Sequence, residues 1–92
     1  MEKSVHTPDY RALREQLQKT RADSGLSQRD LATKLGVPHS WVAKVESGER
    51  RVDLVEFCWF VAACGHDPGE VFRDLLRQRP SLSGRGAKGR SK

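Results

Sequence analysis

Apolar side chains recur along this chain at helical intervals, and turn residues cut the pattern into short blocks. Leu13, Leu17 and Arg21 follow one another every four residues, one face of a helix. Thr7-Pro8-Asp9 ahead of them has the form of an N-cap followed by proline in the first turn, and Gly25 closes the block. Ser27 and Asp30 make a capping-box pair for a second helix, striped by Leu31, Ala32 and Leu35 and ended by Gly36. A third helix has Val42 and Val45 on its inner side and stops at Gly48. Asp53 and Glu56 form another capping-box pair before a fourth helix, Leu54 to Cys64, with Gly65 after it. Asp67-Pro68-Gly69-Glu70 opens a fifth, whose apolar face is Val71, Phe72, Leu75 and Leu76 and which Pro80 stops. No run alternates with period two between turn residues, so no strand is expected. The pattern predicts an all-α domain of five short helices over residues 9–79. Residues 1–8 form an N-terminal arm, and residues 80–92 read as a disordered basic tail, without periodicity.

Two of these helices carry more than a core stripe. In the third, Ser40, Lys44 and Ser47 recur at i, i+4 and i+7 opposite Val42 and Val45, a slim polar face with one long cation. In the fourth, every residue from Phe57 to Cys64 is apolar, which a helix buried on one side does not need. Leu54, Phe57, Val61 and Cys64 fit the core stripe. Val55, Trp59 and Ala62 then form a second apolar face, which either a terminal segment of the chain covers or a second copy does. In the latter case Phe72 and Leu76 join a two-fold interface with Trp59, a frequent anchor residue, at its centre.

Composition narrows the function. The chain has 92 residues, 36% hydrophobic and 32% charged, which is one soluble domain at most. Its longest apolar run is far short of the roughly 20 residues a bilayer span needs, and the N-terminus lacks the apolar core of a signal peptide, so a cytoplasmic location is expected and no membrane partner. Cys58 and Cys64 lie six apart in one helix with side chains pointing in different directions. With His66 they do not match zinc-ligand spacing, so they read as reduced core cysteines, and no metal or cofactor is expected. The net charge of +5 is uneven: residues 1–51 hold +3, residues 52–80 hold −2 and residues 81–92 hold +4. Charge alone leaves a polyanion facing one part of the molecule and a solubilising tail equally open. No Ser/His/Asp or paired-carboxylate constellation is visible, and five short helices leave little room for a pocket, so no enzyme and no catalytic residue is expected.

Two helices joined by a glycine turn, LSQRDLATKLGVPHSWVAKVESGE, have the layout of a DNA-binding helix-turn-helix. The Gly-Leu-Ser-Gln opening, the Leu-Ala pair, the Leu-Gly turn and the Glu-x-Gly ending strongly resemble the phage-repressor (Cro/repressor, XRE) family, over roughly residues 10–78. The resemblance implies a lambda-repressor-like fold, double-stranded DNA as partner, and a third helix, residues 39–47, lying in the major groove. A groove about 12 Å wide admits a helix whose exposed face is slim and hydrogen-bonding, as this one is. Base contact is carried over to His39, Ser40 and Lys44. Gln28, by the same resemblance, bonds a phosphate and braces His39, while Arg29, Ser47, Arg50 and Arg51 are placed to reach phosphates. Pro38 departs from the family, which usually has Ser or Thr there, and the lost hydroxyl removes a phosphate contact. Trp41 also departs, and either packs on the second helix or lies against the sugar-phosphate wall. Arg21 and Glu46 are charges on inward stripes and are expected to pair, as the family commonly pairs these positions.

The expected function is therefore a sequence-specific transcription regulator, a repressor binding a palindromic operator as a homodimer. One helix contacts few bases, whereas two placed about 34 Å apart read a palindrome. The alternative is an antitoxin of this fold, binding its operator and a toxin protein. A module that has lost DNA binding is disfavoured by Gln28, Lys44 and Arg50.

Overall fold

The computed structural model describes residues 6–84. Five α-helices follow in chain order: α1 Pro8–Asp23, α2 Gln28–Leu35, α3 His39–Ser47, α4 Leu54–Ala63 and α5 Pro68–Gln78. No strand occurs among the described residues. The caps are those the sequence predicts. The side chains of Thr7, Ser27, Asp53 and Asp67 accept bonds from backbone N–H groups in the first turns of α1, α2, α4 and α5, and both expected capping boxes close reciprocally.

One turn decides the motif. Gly36 takes φ +71° after α2, its N–H and that of Val37 return to Thr33 and Ala32, and the chain re-enters a helix three residues later. An L side chain is strained in that left-handed region. The sharp reversal packs α2 against α3; α1 packs on α3, α4 on α2, and α5 closes against α1 and α4. Leu17, Leu31, Ala32, Val42, Val45, Val52, Phe57, Phe60, Val61, Cys64 and Val71 form the core between them.

Three expectations are corrected here. Leu54 does not join the core stripe of α4: it is 72% exposed, while Phe60 is fully buried. The buried arc of the helix is centred between Phe57, Phe60, Val61 and Cys64, and Leu54, at the first position of the helix, falls on its flank. Cys58 is half-buried and free; only Cys64 is buried, and burial pushes its thiol pKa up. The tail also starts later than expected. Pro80–Ser83 form a 3-10 turn, tied back to α1 by Arg79 Nε on Asp9 at 2.8 Å and by Ser81 Oγ on the same carboxylate at 2.8 Å. The Arg79 and Ser81 bonds hold the Asp9 carboxyl below its ordinary pKa. Residues 85–92, the rest of the expected tail, and residues 1–5 lie outside the described residues.

Candidate nucleic-acid interface

The outward face of α3 is polar from end to end. His39, Ser40, Lys44 and Ser47 are exposed, whereas Val42, Val45 and Glu46 are buried beneath them. Pro38, at the N-cap, makes no side-chain cap bond, as its missing hydroxyl requires. At the other end Gly48 takes φ +88°, and Arg50 N–H returns to the carbonyl of Lys44 at 3.1 Å. Ser47 Oγ donates to the same carbonyl at 3.2 Å and accepts from Glu49 N–H at 3.3 Å, so its hydroxyl is already engaged in closing the helix.

Beneath that face lies a buried ionic hub. Arg21 donates from Nε to Glu46 Oε2 at 2.6 Å and from Nη2 to Oε1 at 2.9 Å, with only 12% and 4% of the two side chains exposed. The expected pair of inward charges is thus present, in bidentate form. The bond to Glu46 raises the Arg21 pKa further, so the guanidinium stays charged. Its third nitrogen, Nη1, donates to the carbonyl of Leu26 at 2.8 Å, which ties the chain between α1 and α2 to the same hub.

Gln28 is placed differently from the resemblance. Its Nε2 donates to Glu46 Oε1 at 2.8 Å, so its amide braces the hub rather than His39. Arg50, expected on phosphate, lies 5.3 Å over the Trp41 ring and donates to Glu56 Oε2 at 2.9 Å. Glu56 uses its other oxygen to accept from Asp53 N–H, so one carboxylate both caps α4 and anchors Arg50. Trp41 takes the packing alternative: it is half-buried against the core. Arg29 is exposed on α2, and Arg51 is exposed 5.0 Å over the ring of Tyr10.

Two organising residues escaped the sequence reading. Tyr10 is buried and its hydroxyl accepts from Val52 N–H at 2.9 Å, which holds the loop after α3 to the start of α1. Its position seven before Leu17, on the α1 stripe, was the available signal for burial but not for the partner. Arg14 donates from Nη1 to the carbonyl of Glu46 at 3.1 Å, a long-range contact no spacing rule reveals.

The residues expected at a dimer face are split by the fold. Val55 and Trp59 are 55% and 58% exposed on the outer ridge of α4, as the second apolar face requires. Trp59 and Ala62 border a groove with Leu35, Val37 and Trp41. Phe72 instead meets Phe57 edge to face and borders a separate apolar groove with Leu54 and Leu82, while Leu76 is half-buried beside Pro80.

A family model described as a helix-turn-helix domain matches residues 12–75. A solved "XRE-family like protein from Pseudomonas syringae pv. tomato str. DC3000" superimposes with a TM-score of 0.77 at 38% identity, covering 84% of this chain and 94% of that one. The chain belongs to the XRE-like helix-turn-helix family. Among curated proteins none matches it. Membership of the XRE-like family supports a DNA-binding regulator, and no helix among the described residues is long and apolar enough to cross a membrane.

Proposed function

We propose that this XRE-like protein is a sequence-specific transcriptional repressor that binds a palindromic operator as a homodimer. The carrying observation is the face of α3. His39, Ser40, Lys44 and Ser47 are all exposed, on a helix whose opposite side is locked by Val42, Val45 and the Arg21–Glu46 pair. In this reading His39, Ser40 and Lys44 meet base edges, and lysine suits the O6 and N7 acceptors of guanine. Gln28, Arg29, Ser47, Arg50 and Arg51 hold the backbone, with Arg29 and Arg51 the most exposed of the cations. Val55, Trp59, Ala62, Phe72 and Leu76 supply the contact between copies.

Substitution separates reading from positioning. Lys44→Ala is expected to cost about 1–3 kcal/mol on a duplex selected by the wild-type protein and to relax its preference at one position. Arg29→Ala is expected to weaken selected and random duplexes alike and to shallow the salt slope by about one. Equal losses on both duplexes for Lys44→Ala would remove it from the base-reading set.

The second reading, an antitoxin, is favoured by the same exposed apolar side chains, since Leu54, Val55, Trp59, Phe72 and Leu82 would serve a toxin protein as well as a second copy. Sedimentation of the purified protein discriminates: self-association supports the homodimer, and a strict monomer on and off DNA supports a different protein partner.

A further inference from the structure

The recognition helix is held from one end. Its N-terminal end has no side-chain cap, since Pro38 stands there. Among the described residues, every long-range hydrogen bond to α3 ends at the other end of the helix, on Glu46. Arg21 and Gln28 grip the Glu46 carboxylate, which sits at the tip of a side chain with three rotatable bonds. Arg14 acts on the backbone instead. Its Nη1 donates to the carbonyl of Glu46, one of the last carbonyls of the helix, which has no partner in a following turn. The rest of its side chain lies flat against the bare Cα of Gly48: a Cβ there would stand 3.0 Å from Nε, 3.1 Å from Cδ and 3.3 Å from Cζ. A side chain at position 48 would thus be opposed twice, by the left-handed backbone and by Arg14.

Arg14 and Arg21 are seven apart on α1, two turns along one face, so α1 presents two cations to the negative end of the α3 dipole. Arg14 makes its contact through Nη1. Its Nε is buried and has no hydrogen-bond partner among the described residues.

We infer that Arg14 is a positioning residue for DNA reading: by holding the Glu46 carbonyl to α1 and packing against Gly48, it sets the angle at which α3 presents Lys44, Ser40 and His39. The inference rests on α3 being the DNA-reading element. Its premise is geometric, since a recognition constellation must be held within about 0.5 Å and 10–20° of its productive placement. Lys44 lies two residues before the pinned carbonyl, so a change of angle there is carried to the groove. Arg14 itself is not on the exposed polar face and reads nothing.

The test uses the full chain and two duplexes: one enriched from a random-sequence pool by the wild-type protein, and a scrambled one of equal composition. Arg14→Met keeps the packing stem and loses the donor and the charge; Arg14→Lys keeps the charge and loses the planar fork. The expected result for Arg14→Met is unchanged helical circular dichroism, scrambled-duplex affinity within about twofold of wild type, and a fall of roughly tenfold in the ratio of enriched to scrambled affinity. Arg14→Lys falls between. The ratio is the deciding quantity because partial unfolding lowers both affinities by the same fraction and leaves it unchanged. If Arg14→Met melts below the assay temperature, Arg14→Lys carries the test by the same ratio. A folded variant with the wild-type ratio, or one that loses both affinities in proportion, overturns the positioning role. A wild-type protein that enriches no sequence from the pool overturns the DNA reading instead, a distinct failure.

Discussion

Glu46 is the residue on which the long-range polar ties to α3 converge. Its carboxylate is nearly buried and takes three charge-assisted or amide bonds from α1 and α2, while its own helix points the other way at solvent. A buried ion pair loses more when one partner is removed than when both are, since the survivor is left charged and desolvated. Arg21→Met and Glu46→Gln are each expected to destabilise the fold by about 3–5 kcal/mol, and the double variant by less than their sum. Denaturant titration of the four proteins measures this, and simple additivity would refute the coupling. A second residue-scale outcome concerns the thiols. Burial raises the Cys64 pKa, and the thiolate is the reactive form, so Cys64 is expected to resist iodoacetamide in the native protein and to react on unfolding. Cys58, half-buried, is expected to react first. Mass spectrometry of a timed alkylation reads the order.

Among the elements, α4 carries the largest unresolved apolar surface. Phe57, Phe60 and Val61 face the core, and burial of such side chains stabilises by about 1.5–3 kcal/mol each. The outer ridge, Val55, Trp59 and Ala62, returns nothing of that kind within the described chain. If it meets a second copy, Trp59→Glu is expected to give a folded protein that sediments as a monomer. Such a variant should bind a full palindrome weakly and a half-site nearly as well as wild type. A wild-type protein that stays monomeric at tens of micromolar, alone and on its selected duplex, would rule this out. Trp59 borders a groove with Trp41 of α3, whereas Phe72 borders one with Leu54 and Leu82 on the far side of α4. Comparing Trp59→Glu with Phe72→Glu in the same sedimentation assay therefore tells which side of the ridge the second copy uses.

At the scale of the whole molecule the charge distribution matters. Residues 85–92 hold four cations and no acid, next to a helical domain that is close to neutral. If they contact DNA, they do so through released counterions, without sequence preference. Deleting residues 85–92 is expected to leave the melt unchanged and to reduce the slope of log affinity against log salt on random DNA. The deletion starts beyond Ser81, because Ser81 and Arg79 fasten the C-terminal turn to Asp9. An unchanged slope would mean that the tail does not touch DNA.

Local chemistry was enough to determine the five helices, their caps and the polar stripe of α3. Each is settled within one or two turns by residues such as Thr7, Ser27, Gly36 and Asp67, whose effects do not depend on distant neighbours. Even the Arg21–Glu46 pair was legible, because two charges on two inward stripes leave few ways to avoid desolvation. Other features could be decided only by the tertiary structure. Leu54 has the right spacing for the core and misses it, since the arc a helix buries is set by what packs on it and not by its own period. The partners of long polar side chains were also out of reach. Arg14, Gln28 and Arg50 each carry a flexible stem that can meet many acceptors, and their bonds to Glu46 and Glu56 exist because α1, α2 and α4 meet the C-terminal end of α3.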